Sequence, residues 1–161
     1  MKPIYLNLIA PFLLLQGSLL AHCQVPCGIY NDAARIIQIQ EDFSTIQKAM
    51  TKIKELSQQQ DATSMNQLTR WIMTKEDHAS KIQKVVSDYF LTQRIKAKTK
   101  GSEFDTYVKQ TTTLHQILVS AMKCKQTIDE QNVILGINLI DQFIEIYFDS
   151  HGLQHLQKLS E

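Results

Sequence analysis

Residues 32–53, DAARIIQIQEDFSTIQKAMTKI, set Ile36, Ile39, Phe43, Ile46, Met50 and Ile53 at steps of three and four. At 3.6 residues per turn these steps keep one side of a helix apolar, so the stretch reads as an amphipathic helix with a buried face. Asp32 is its expected N-cap, and the polar run Gln58-Gln59-Gln60-Asp61 its expected end. The same spacing recurs downstream. A second helix is expected over residues 64–96, with Leu68, Trp71, Ile72, Ile82, Val85, Val86, Tyr89 and Phe90 on its face and polar Lys75 and His78 between two apolar clusters. Basic residues 94–100 and Gly101 close it, as suits a helix C-terminus. Ser102, with Asp105 three residues on, is the expected cap of a third helix carrying Phe104, Tyr107, Val108, Leu114, Ile117, Leu118 and Ala121. A fourth begins near Asp129, shows Val133, Ile137, Ile140, Ile144, Tyr147 and Phe148, and is expected to lose regularity at Gly152. All three prolines (Pro3, Pro11, Pro26) precede these stretches, so nothing after them breaks a helix in the strongest way. The pattern predicts an all-α fold: an antiparallel four-helix bundle over residues 31–161, preceded by an N-terminal segment of different character.

The 161 residues are the size of one ordinary domain, and with 43% apolar and 20% charged side chains they can fill a core. Lys2 is the only charged residue before His22, and the remainder carries 16 basic and 16 acidic side chains. That balance excludes a nucleic-acid binder that relies on a basic excess. The helices lack the Glu-x-x-His pairs of a di-metal bundle, since Lys75-Glu76-Asp77-His78 supplies only one Glu-x-His. Residues 1–21 read as a leader: Lys2, a mostly apolar run over residues 6–15, then Gln16, Gly17 and Ser18 leading to Ala21. Asn7, Pro11 and Gln16 interrupt the run too often for a stable membrane span. The leader predicts a processing protease and export, periplasmic or secreted. The alternative is a leader removed in the cytoplasm.

Chemistry concentrates in His22-Cys23-Gln24-Val25-Pro26-Cys27-Gly28-Ile29-Tyr30. Three cysteines, Cys23, Cys27 and Cys124, are too few and too uneven for a disulfide framework. If the chain starts at His22, its α-amine, the Cys23 amide nitrogen and the Cys23 thiolate form adjoining five-membered chelate rings, and Cys27 reaches the fourth corner. Pro26 and Gly28 shape the return turn. Two nitrogens and two thiolates in a plane suit Ni(II) or Cu(II), whereas Zn(II) prefers a tetrahedron. The His22 imidazole is then available as an axial ligand. Anionic thiolate and amidate donors stabilise the higher oxidation state, which makes nickel redox-active.

The run His-Cys-x-x-Pro-Cys-Gly-x-Tyr behind a removable leader resembles the metal hook of nickel-containing superoxide dismutases. Arg35, Ser87-Asp88-Tyr89-Phe90 and Leu114-His115-Gln116 are similar to further family segments. The resemblance implies a homohexamer of four-helix-bundle subunits, one nickel per subunit, with superoxide as substrate; Ile37, Ile95 and Leu135, apolar residues off the main stripes, are the expected outward candidates for contacts between subunits. It assigns His22, Cys23 and Cys27 as metal ligands and places Tyr30 at the mouth of the site, holding a water or guiding the anion. The chain departs from the family pattern at Gln24, where some members are acidic, and at Ile37, where many carry a Glu that orients the axial imidazole with an Arg from the second helix. Here that second-helix position resembles His78, and Glu41 is another candidate to support the ligands.

Competing readings are simpler. Cys23 and Cys27 can form a disulfide in an oxidising compartment. Cys124 is expected to be a buried, inert thiol, and His115, His151 and His155 surface or hydrogen-bonding residues. The functional alternative is an exported helical-bundle protein that binds or delivers nickel or copper without catalysis.

Overall fold

The computed structural model describes residues 30–160. Residues 1–21, expected as a leader, and hook residues 22–29 lie outside the described residues. Among those described there are five α-helices and no strand: α1 (Asp32–Leu56), α2 (Ala62–Lys84), α3 (Phe104–Gln126), α4 (Gln131–Tyr147) and α5 (Ser150–Ser160). α2 runs on into a π-helical segment, Val85–Arg94. The first four form an up-and-down bundle in which α1 and α3 each pack between α2 and α4. No described helix is long and apolar enough to cross a membrane.

The α1 stripe behaves as its spacing demands: Ile36, Ile39, Phe43, Ile46, Met50 and Ile53 are all buried. Its cap is shifted by one residue. The Asn31 side chain accepts the Ala34 N–H at 3.0 Å, leaving the Asp32 carboxylate free for tertiary contacts. Asp61, expected only to end the first helix, caps α2 by accepting the Ser64 N–H at 3.0 Å. Ser102 does not cap α3. Gly101 adopts φ +93°, and its carbonyl takes the Phe104 N–H at 3.1 Å, so backbone closes that turn.

The buried face of α2 departs from the expected one. Ile72 is exposed, and Lys75 is only 4% exposed. Lys75 Nζ donates to the Cys124 carbonyl at 2.7 Å and to the Lys125 carbonyl, satisfying acceptors that the end of α3 leaves open, and pairs with Glu76 at 2.8 Å. Ile95, expected as an outward residue, is buried in the core. On α4 the innermost line runs through Val133, Gly136, Leu139, Ile140 and Phe143. A Cβ on Gly136 would overlap the Phe43 ring and lie 2.8 Å from Ser120 Oγ, so only glycine lets the helices approach there.

Gly152 lies inside a helix. The chain leaves α4 at Phe148, and Asp149 restarts it by accepting the Gly152 N–H at 2.8 Å. A side chain at Gly152 would strike the Phe148 ring, which accounts for glycine in the first turn of α5. α5 packs beside α1, with Leu156 against the core.

Candidate metal centre and its support

Tyr30 is the one hook residue among those described, and it is 41% exposed. One residue separates it from Asp32, where the chain enters the bundle. The Asp32 carboxylate is the meeting point of three elements. Tyr89 Oη donates to Oδ1 at 2.6 Å and Tyr147 Oη to Oδ2 at 2.7 Å. Arg94 Nε donates to Oδ1 at 2.8 Å and its NH2 group to Oδ2 at 2.7 Å, a bidentate pair. Burial works to raise the Asp32 pKa, but the bonds from Arg94, Tyr89 and Tyr147 outweigh it and hold it below the ordinary carboxylate value. Burial and the Asp32 charge push both tyrosine hydroxyls up, and the Asp32 bond raises Arg94, so all four groups keep these charge states at neutral pH. The rings are fixed from beneath: Phe90 meets Tyr89 and Tyr147 edge-on at 5.1 and 5.7 Å, and Phe143 stacks on Tyr147 at 4.9 Å. The Arg35 guanidinium lies 5.5 Å from the Tyr89 ring centre.

The π segment allows two of these contacts at once. Five residues along an α-helix turn the side chain by about 140°, so Tyr89 and Arg94 would point apart. Bonding from i to i+5 widens the turn and brings them towards one side. The Ile95 N–H reaches the Phe90 carbonyl at 2.9 Å in this register. Thr92 Oγ1 and Gln93 Nε2 return to the Ser87 and Asp88 carbonyls at 2.7 and 2.9 Å, again five residues back.

His78 and Glu41, the expected supports, are not brought together. Glu41 is exposed. His78 Nδ1 lies 2.6 Å from Asp42 Oδ1, one residue further along α1. Asp42 is 4% exposed, its Oδ2 has no hydrogen-bond partner, and burial pushes its pKa up despite His78. Cys124 is fully buried, with its thiol raised to about 11 by burial, which is the inert state expected of it. His115, His151 and His155 are exposed.

Among the described residues no group of three or more His, Cys, Asp or Glu side chains is placed to hold a metal ion. The donor types for one are supplied by the sequence of the hook: an imidazole, an α-amine if the chain is cut before His22, and two thiols at Cys23 and Cys27. Soft thiolates with nitrogen donors fit nickel. In comparison with known families, the sequence model for nickel-containing superoxide dismutase matches residues 18–151, from before the hook to the start of α5. No curated protein and no solved structure matches the chain.

Proposed function

This chain belongs to the nickel-containing superoxide dismutase family, and on that premise we propose that His22, Cys23 and Cys27 hold the metal at the tip of a processed N-terminus. The family makes it an oxidoreductase that uses nickel and acts on superoxide. The observation that carries the finer reading is that the match spans both the hook sequence and the bundle. Removal of residues 1–21 frees the α-amine of His22. That amine and the His22 imidazole, the Cys23 amide nitrogen and the Cys23 and Cys27 thiolates would hold the nickel, and the anionic donors would favour its higher oxidation state.

When bound, nickel supplies a one-electron couple between Ni(II) and Ni(III), which dismutation requires. Two superoxide anions and two protons give one oxygen and one hydrogen peroxide, so the chain must admit a small anion and protons. Tyr30 Oη, at the mouth of the hook, orients a water or the anion by hydrogen bonding. His78 with Asp42 is a candidate support for the ligands in place of the acidic residue that Ile37 lacks. Export through the leader and assembly as a homohexamer belong to the same proposal.

Metal analysis of the mature protein together with a superoxide-consumption assay tests it. Nickel content that rises and falls with activity is expected. Bound nickel or copper with no consumption of superoxide would instead make the chain a metal carrier.

A further inference from the structure

We propose that Asp32 is the anchor of the metal hook: a positioning residue that, held by Arg94, Tyr89 and Tyr147, fixes the first turn of α1, the root from which the chain runs back to the hook. The inference rests on the hook reading of the function. Its own basis is the geometry at the root of α1. A site must be held by a rigid element to keep its geometry, and the first described one after the hook is the root of α1. Here that point is unusually well held. Asn31 closes the first turn through the Ala34 N–H at 3.0 Å, and its carbonyl accepts the Arg35 N–H at 3.2 Å. The next residue, Asp32, takes hydrogen bonds between 2.6 and 2.8 Å from the π segment and from the last residue of α4.

An ordinary first-turn acid interacts with its own helix N-terminus. Asp32 ties together the start of α1 and the ends of two neighbouring elements. Its side chain is 15% exposed and that of Arg94 is 28% exposed, so solvent competes weakly. Tyr89 and Tyr147 rest on Phe90 and Phe143, both fully buried. The anchor is therefore referenced to the core. The π register, which lets Tyr89 and Arg94 reach one carboxylate, is part of the same device.

The test compares Asp32→Asn and Tyr147→Phe with Leu114→Ala, a core truncation on α3 that leaves every bond to Asp32 in place. Three readouts are taken on the full mature protein: nickel retained against a chelator, the electron paramagnetic resonance spectrum of the Ni(III) form, and amide exchange at Ala34 and Arg35 without metal. Asp32→Asn is expected to weaken nickel retention about tenfold or more, the scale seen when groups behind metal ligands are lost. It should also alter the nitrogen splitting of the spectrum and speed exchange. Tyr147→Phe should shift the same readouts by less, and it keeps the anchor testable if Asp32→Asn does not fold. Leu114→Ala should lower thermal stability with spectrum and nickel retention unchanged. Faster exchange in the Asp32 and Tyr147 variants with wild-type nickel retention and spectrum would overturn the proposal, because the cluster would then only stabilise the bundle. Equal changes in Leu114→Ala would overturn it as well. Wild-type protein that binds no nickel would refute the functional reading itself, while the metal-free exchange would still report whether Asp32 holds the root of α1.

Discussion

Two aspartates of α1, part-buried Asp32 and buried Asp42, respond to pH with opposite signs. The Asp32 pKa is lowered from 3.8 in the fold, so its contribution to stability is present above that value and is lost as the pH falls below it. The Asp42 pKa is raised from 3.8, so its ionisation costs stability as the pH climbs from that value through the higher folded one. Denaturant titrations through this acid range should show Asp32→Asn losing part of the wild type's acid sensitivity. The stability of Asp42→Asn relative to wild type should rise as the pH rises. At neutral pH Asp32→Ala should cost about 2–3 kcal/mol, the scale of charge-assisted bonds lost from a part-buried cluster. In the hook, Cys23→Ser and Cys27→Ser should each abolish nickel retention and activity in metal analysis and superoxide assays, since a hydroxyl cannot replace a soft anionic donor. His22→Gln should keep nickel and lose most activity if the proposed donors hold it, because the α-amine, amide and thiolates would survive and only the imidazole would be gone. The donors proposed for the hook lie outside the described residues and are argued from sequence alone, since chelate rings require neighbours in the chain. The partner of His78 was not legible in the sequence: Glu41 and Asp42 are equally acidic, and about 100° of helix rotation decides which one faces α2.

At the scale of elements, period reads well where packing alone sets the face. The α1 stripe needed nothing else. α2 misled because its buried line includes Lys75, whose ammonium closes the open carbonyls at the end of α3. A polar residue used as a cap for a helix distant in sequence has no local signature. Lys75→Met should therefore destabilise the bundle by about 1–3 kcal/mol, since the Cys124 and Lys125 carbonyls would lose their donor, as thermal melts will show. Gly136→Ala tests close packing. Helix propensity favours alanine by about 1 kcal/mol, but the overlap with Phe43 and Ser120 should make the variant less stable than wild type by about 1–3 kcal/mol. The π segment and α5 were the least legible elements. Apolar spacing at residues 85, 86, 89 and 90 suits an α-helix equally well, and the wider register shows only in the bonds from Thr92, Gln93 and Ile95. Gly152 looked like a terminator, yet the Asp149 cap and the Phe148 ring place it inside a new helix.

For the whole molecule, the bundle followed from four amphipathic stripes and short connections, while assembly did not follow from any of them. Of the apolar residues expected to face outward, Ile95 belongs to the core and Leu135 is 46% exposed. Sedimentation of the mature protein is expected to give a hexamer, and a stable, fully active monomer would show that the hook needs no neighbouring subunit. In the proposed reading the chain's chemistry depends on one covalent event, the cut that turns the His22 amide nitrogen into an amine. Native mass spectrometry of the superoxide-consuming fraction reads that event and the metal together. The expected result is a chain of residues 22–161 with one nickel per subunit, its activity lost when the nickel is removed. Active protein in which the bond between Ala21 and His22 is intact would contradict it.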